Sequence, residues 1–163
     1  MQNLIYKGAI NPLSFGNVSY NILRELYRKG VSVAFFPFGE NLNFDSFDKI
    51  DEEFKAWIIN AAQNRFHLIN KDYKTLTQWH LNGSESRISK HQTLFTFYEV
   101  DQPTLVEKSI VDLQDECVFA SRHAFECFRN MGCENAHYVP IGFDEDFVES
   151  DEEYLPNKTH FGL

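Results

Sequence analysis

The first 36 residues place two apolar runs either side of one amphipathic segment, and that order restricts the fold more than any other feature of the chain. Leu4 to Ile10 is a short, mostly apolar run. The turn formers NPLSFGN (11 to 17) follow, and Asn17 is a candidate helix cap. Val18, Ile22, Leu23, Leu26 and Tyr27 then recur at helical spacing, and Gly30 marks the stop. Val31 to Phe36 is nearly all apolar, as a strand buried on both faces should be. Strand, helix and strand joined this tightly form the βαβ unit of a parallel sheet.

The rest of the chain keeps the pattern. After a Pro/Gly/Asn-rich loop (37 to 46), residues 47 to 66 predict a helix with Phe54, Trp57, Ile58 and Ala61 on one face. Leu76 to Leu81 predicts a third strand, NGSES (82 to 86) a polar break with a short helix after it, and Thr93 to Tyr98 a fourth strand. Pro103 suits the first turn of a helix carrying Leu105, Val106, Ile110 and Leu113. Cys117 to Ala120 predicts a fifth strand running into Ser121, which sits where an N-cap belongs, and Gly132 closes the helix that follows. His137 to Val139 predicts a sixth strand before a turn at Pro140 and Gly142. The expected fold is α/β: a doubly wound, mainly parallel, Rossmann-like sheet of about six strands with helices on both faces. Residues 1 to 150 would form this domain. Residues 151 to 163 read as an acidic, Pro-broken linker whose last residues, THFGL, could open another strand.

Charge and cysteine use exclude several classes. Asp and Glu outnumber Lys and Arg 24 to 15, giving a net charge of -9. Such a surface repels a phosphate backbone, and no segment carries a basic stripe, so nucleic acid is not an expected partner. The N-terminus lacks a basic stretch followed by a long apolar run, and no segment approaches ~18 consecutive apolar residues, so neither a signal peptide nor an integral membrane segment is expected. The three cysteines (Cys117, Cys127, Cys133) show no CxxC spacing and read as core thiols of a cytoplasmic protein.

Doubly wound sheets bind ligands at the carboxyl ends of their strands, near the switch in strand order. Gly16 and Asn17 lie at a helix start, where free N–H groups and the dipole favour an anion. The same loop also answers to a plain strand–helix turn, and without GxGxxG a nicotinamide-dependent enzyme is disfavoured. Glu99 follows the apolar run LFTFY and is placed to take a proton or bind a sugar hydroxyl, or else to cap a helix, for which Asp101 is better placed. His80 ends the third predicted strand. The other histidines show no HxH or HxxxH spacing, so no metal site is expected. His123 has no visible partner for a Ser–His nucleophile, and GxSxG is absent. Among the 16 phenylalanines, Phe15, Phe38, Phe44 and Phe143 fall in loops and are the candidates for ligand contact or for an interdomain surface.

Several of these pieces stand in a familiar order. FTFYE (95 to 99) ends a strand, VFAS (118 to 121) leads into a helix closed by RNMGC (129 to 133), and VPIGFDEDF (139 to 147) follows. With KGVSVAFF (29 to 36) near the start, this order resembles the N-terminal half of GT-B-fold glycosyltransferases of the family-four type. The resemblance implies an acceptor-binding domain of a nucleotide-sugar-dependent enzyme that transfers a sugar to a hydroxyl. The donor would be held mainly by a second domain, and these residues alone would be inactive. It implies no metal and no cofactor beyond the nucleotide-sugar co-substrate. By position it places Glu99 at the reaction centre as the catalytic residue. Gly16 and Asn17 would approach the donor phosphates or the acceptor, Ser121 would line the cleft, and Asp144 and Phe147 would belong to a hinge; the loop aromatic Phe15 and the strand-end His80 join them as substrate-binding candidates. The first loop has one glycine where many members have two. A free-standing Rossmann-like module that binds a small ligand or a protein without catalysis is the alternative.

Overall fold

The computed structural model describes residues 3–39, 41–47 and 49–142. The expected linker at 151 to 163, Phe143 and the hinge residues Asp144 and Phe147 lie outside the described residues. The described chain is an α/β domain built on an open, six-stranded, all-parallel sheet. Its strands are β1 (Asn3–Gly8), β2 (Ser32–Pro37), β3 (Lys74–Gln78), β4 (His91–Thr96), β5 (Glu116–Phe119) and β6 (Ala136–Tyr138). They lie in the order β2-β1-β3-β4-β5-β6. The sheet therefore grows one way from β1 to β2 and the other way from β3 outward, and the switch lies between β1 and β3.

Helix α1 (Ser14–Arg28) joins β1 to β2, and α2 (Glu52–Gln63) with the single turn α3 (Arg65–Leu68) joins β2 to β3. Helices α4 (Leu105–Asp112) and α5 (Arg122–Asn130) precede β5 and β6. The helix ends follow their local chemistry. Gly30, at φ 65°, donates to Tyr27 O at 2.9 Å while Val31 donates to Leu26 O at 3.0 Å, a Schellman closure that needs glycine's left-handed freedom. Gly132, at φ 87°, repeats it on α5. Asp51 caps α2, Ser121 caps α5 by accepting from Ala124 N, and Thr104 with Glu107 forms a full capping box on α4.

Several boundaries differ from the sequence reading. The strands β1, β3 and β4 end two to three residues earlier than the apolar runs suggest, because the apolar residues beyond them pack as loop side chains. Pro103 precedes the Thr104 cap and so stands outside α4. That helix buries Ile110 and Val111, whereas Leu105, Val106 and Leu113 are exposed, because only its second turn reaches the core. No helix follows NGSES. Residues 79–90 cross from β3 to β4 as a loop, held by Ser84 Oγ donating to His80 O at 2.6 Å and by Arg87 bridging to Leu113 O, Lys90 O and the Asp115 carboxylate.

The two faces of the sheet carry separate cores. On one, Tyr6, Val33 and Phe35 meet Tyr20 and Leu23 of α1 and Phe54 and Ile58 of α2. On the other, Leu94, Cys117 and Phe119 meet Ile110 of α4 and Phe128 of α5, with the Phe119 and Phe128 rings stacked at 4.8 Å. The register places Leu76, Phe95 and Val118 on the first face as well, beyond α1. There they floor a cavity of about 700 Å³ walled by Ile22 and Leu26 on one side and Ile141 on the other. No helix of the described residues is long and apolar enough to cross a membrane.

Phe128 is fully buried and Leu105 is 76 % exposed, so truncation should separate them sharply. Phe128→Ala is expected to cost ~3–5 kcal/mol, and Leu105→Ala to stay within ~0.5 kcal/mol, both read from urea unfolding.

Candidate functional site

The strand order predicts a crevice at the carboxyl ends of β1 and β3. The structure fills its wall with aromatic side chains from four elements. Phe15, in the first turn of α1, packs on His80 just beyond β3 at a ring separation of 4.3 Å, on Phe97 beyond β4 at 4.9 Å and on Trp79 at 5.6 Å. Phe38, immediately after β2, joins from the other side at 4.6 Å from Trp79. Phe15, Phe38, Trp79 and Phe97 are half-buried and His80 is exposed, so part of this ring cluster is open to solvent at the strand ends. The loops beneath are tied together. Phe38 N donates to Gly8 O at 2.8 Å, and Asn43 N donates to Ile10 O at 2.9 Å.

Two of the residues singled out in sequence, Phe15 and His80, are thus brought into contact. Gly16 lies under them for a steric reason. A Cβ there would stand 2.1 Å from Asn11 O and 2.5 Å from Asn11 N, so the loop can fold onto the helix only where the residue is glycine. Asn17 does not cap the helix. The N-cap is Leu13, with no side-chain cap, and Asn17 donates its backbone N–H to Leu13 O at 3.0 Å from an exposed position in the first turn. The turn is instead held by Asn11, whose Oδ1 accepts from Leu13 N at 3.0 Å. Glu99 is exposed on the loop after β4, within about 7 Å of Phe97 along the chain. Ser121 stands at the carboxyl end of β5, two strand spacings or about 10 Å from β3. Of the other loop aromatics, Phe38 joins this ring cluster and Phe44 packs against the first core.

Beneath the wall lie polar groups that periodicity does not reveal. On the α1 side of the sheet, Tyr6 Oη donates to Ser19 Oγ at 3.0 Å and Ser19 donates to Gln78 Oε1 at 2.6 Å. All three residues are buried, and burial drives the Tyr6 phenol far above its ordinary range. The Gln78 Nε2 end finds no partner among the described residues. On the opposite face, Lys7 is only 5 % exposed. Its Nζ donates to Ser86 Oγ at 3.0 Å and Ser86 O at 3.2 Å, and sits 5.7 Å from the centre of the Phe38 ring. No carboxylate of the described residues faces it. Desolvation alone pulls the ammonium below the usual lysine range. Thr77, the register partner of Lys7 on β3, is buried, and its hydroxyl has no partner among the described residues. A lysine at the end of an apolar strand reads in sequence as a solvated terminus, which is why Lys7 was not singled out.

A second constellation invites attention and fails on geometry. His123 Nε2 lies 3.0 Å from Asp101 Oδ1 and 3.6 Å from Cys127 Sγ. A relay needs the two ring nitrogens to face different partners, and here one nitrogen serves both. Among the described residues no group of three or more His, Cys, Asp or Glu side chains converges on a metal position. No family model matches this sequence, and no curated protein matches it significantly.

Two measurements test these placements. Gly16→Ala should lose ~1–3 kcal/mol of unfolding free energy from overpacking against backbone, while Asn17→Ala stays within ~0.5 kcal/mol. If Gly16 mattered only for ligand approach, stability would not change. For Lys7 the sign follows from its depressed pKa. Between that value and 10.5 the unfolded chain binds more protons than the native one, so this residue's contribution improves as pH rises through the window. Lys7→Met should therefore gain on wild type as the pH of the unfolding assay falls from 10.5 to 7.

Proposed function

We propose that this domain binds the acceptor of a nucleotide-sugar-dependent glycosyltransferase, whose donor is held mainly by a second domain outside these residues. One observation carries the reading. A half-exposed aromatic wall centred on Phe15 stands at the carboxyl ends of the strands, at the switch in strand order. Sugar rings present C–H faces that pack on aromatic faces, and their hydroxyls need the polar groups that ring such a site. The order FTFYE, VFAS, RNMGC and VPIGFDEDF supports the same reading.

In this scheme Phe15, Phe38 and Trp79 hold the acceptor ring, and His80 supplies a hydrogen bond at the exposed rim. Glu99, on the adjoining loop, accepts the proton of the acceptor hydroxyl as it attacks the donor sugar. Ser121 lines the far side of the crevice, and Gly16 with Asn17 shapes its floor. The domain's contribution to rate is placement of the nucleophile, while stabilisation of the departing phosphate belongs to the donor side. The exposure of Glu99 favours the alternative of a binding module without chemistry, in which the same crevice only retains its ligand.

Trp79 reports on the site directly, since the only other tryptophan, Trp57, lies in the first core. On a Trp57→Phe background, saccharides should quench or shift Trp79 fluorescence with dissociation constants of about 1–10 mM, and Phe15→Ala should weaken this about ten-fold. Nucleoside diphosphates should bind no more tightly than saccharides. Micromolar nucleotide binding by this chain would overturn the assignment of the donor to another domain.

A further inference from the structure

Lys7, Thr77 and Ser86 form a group of hydrogen-bond donors that lacks an acceptor of matching charge. The ammonium has three N–H bonds, and both acceptors it meets belong to Ser86. Ser86 Oγ, having accepted from Lys7, still has its own proton to donate. Thr77 stands beside Lys7 in the ladder, about 4.8 Å away, and its buried hydroxyl meets nothing among the described residues. Buried cations are ordinarily paired with carboxylates, because the loss of hydration is offset only by an opposite charge. None of the described carboxylates serves Lys7. The group lies under Phe38, which packs on Trp79, so it forms the base of the aromatic wall.

We propose that this group recognises an oxyanion, and that the acceptor is an anionic saccharide bearing a carboxylate or a phosphate. The inference rests on the acceptor-domain reading and adds to it the charge of the ligand. The ring stacks on Phe15, Phe38 and Trp79, and its anionic substituent reaches Lys7, Thr77 and Ser86 at the end of β1. An ammonium donating to an oxyanion inside a partly desolvated site forms a strong, charge-assisted bond. The depressed pKa of free Lys7 is the cost that such a ligand relieves.

The experiment uses this chain with glucose, glucuronate and glucose 6-phosphate, and follows Trp79 fluorescence together with the Lys7 side-chain resonances by NMR. At least one anionic sugar should bind about ten-fold or more tighter than glucose. Lys7→Met should bring that ratio to about one, and Lys7→Arg should retain part of it. Removing a buried unpaired charge should not prevent folding, and inorganic phosphate gives a second readout on the wild-type chain by raising the Lys7 pKa. Equal binding of all three sugars, a folded Lys7→Met variant that keeps the preference, or a Lys7 pKa indifferent to phosphate would each overturn the inference and leave the acceptor reading standing. If no saccharide perturbs Trp79, both fall together.

Discussion

The double pairing of β1 governs everything else in the molecule. Residues 4–7 of this strand bond in parallel to β2 on one side and to β3 on the other. A chain that leaves β1 toward β2 must then return past it to reach β3, so the connections at the carboxyl ends of β1 and β3 diverge. The strands lie about 4.8 Å apart, but the loops that follow them separate, and side chains have to fill the gap. Phe15 enters from α1, Trp79 and His80 from the end of β3, Phe97 from β4 and Phe38 from β2. The aromatic wall is thus a consequence of strand order, and its residues are distant in sequence for that reason.

The position of the wall depends in turn on how closely α1 approaches the sheet. A Cβ on Gly8 would stand 2.6 Å from Ser19 Oγ and 2.8 Å from the Tyr6 ring. Only glycine at the end of β1 lets the helix settle to the depth at which Ser19 bridges Tyr6 and Gln78. This contact fixes the helix along its axis and so fixes where Phe15 emerges. It also leaves a polar residue of the sheet incompletely bonded, since Gln78 Nε2 has no partner among the described residues. Buried, unsatisfied groups are rare in folded proteins, and among the described residues the Thr77 hydroxyl and Gln78 Nε2 at the carboxyl end of β3 lack partners, as does Gln92 Oε1 near the amino end of β4.

Much of the scaffold was legible in the sequence because it is written in short-range signals. Gly30 and Gly132 stop helices, Ser121 caps one, and each works through residues at most a few positions away. The overall βαβ rhythm was legible for the same reason. What resisted reading was set by long-range contacts. The crossover at 79–90 replaces a helix because Ser89 finds a partner on β3, and Ser84 and Arg87 find theirs in the residues just after α4. The apolar Leu105 and Val106 looked like core, yet the helix axis carries them away from the sheet. The crevice was half visible. Phe15 and His80 could be picked out as a loop aromatic and a strand-end histidine, but their contact follows only from the strand order. Lys7 was invisible, since nothing local distinguishes a buried lysine from an exposed one.

The uneven covering of the sheet bears on the crevice through β4. Helices α4 and α5 blanket one face from β4 to β6, while the other face beyond α1 shows Leu76, Phe95 and Val118 to the cavity bounded by Ile141. Phe95 and Phe97 point to the same side of the strand and its continuation, with ring centres 5.6 Å apart. Phe97 in turn meets Phe15 edge to face. The floor of the open cavity and the wall of the crevice are therefore one continuous aromatic layer that crosses the end of β4.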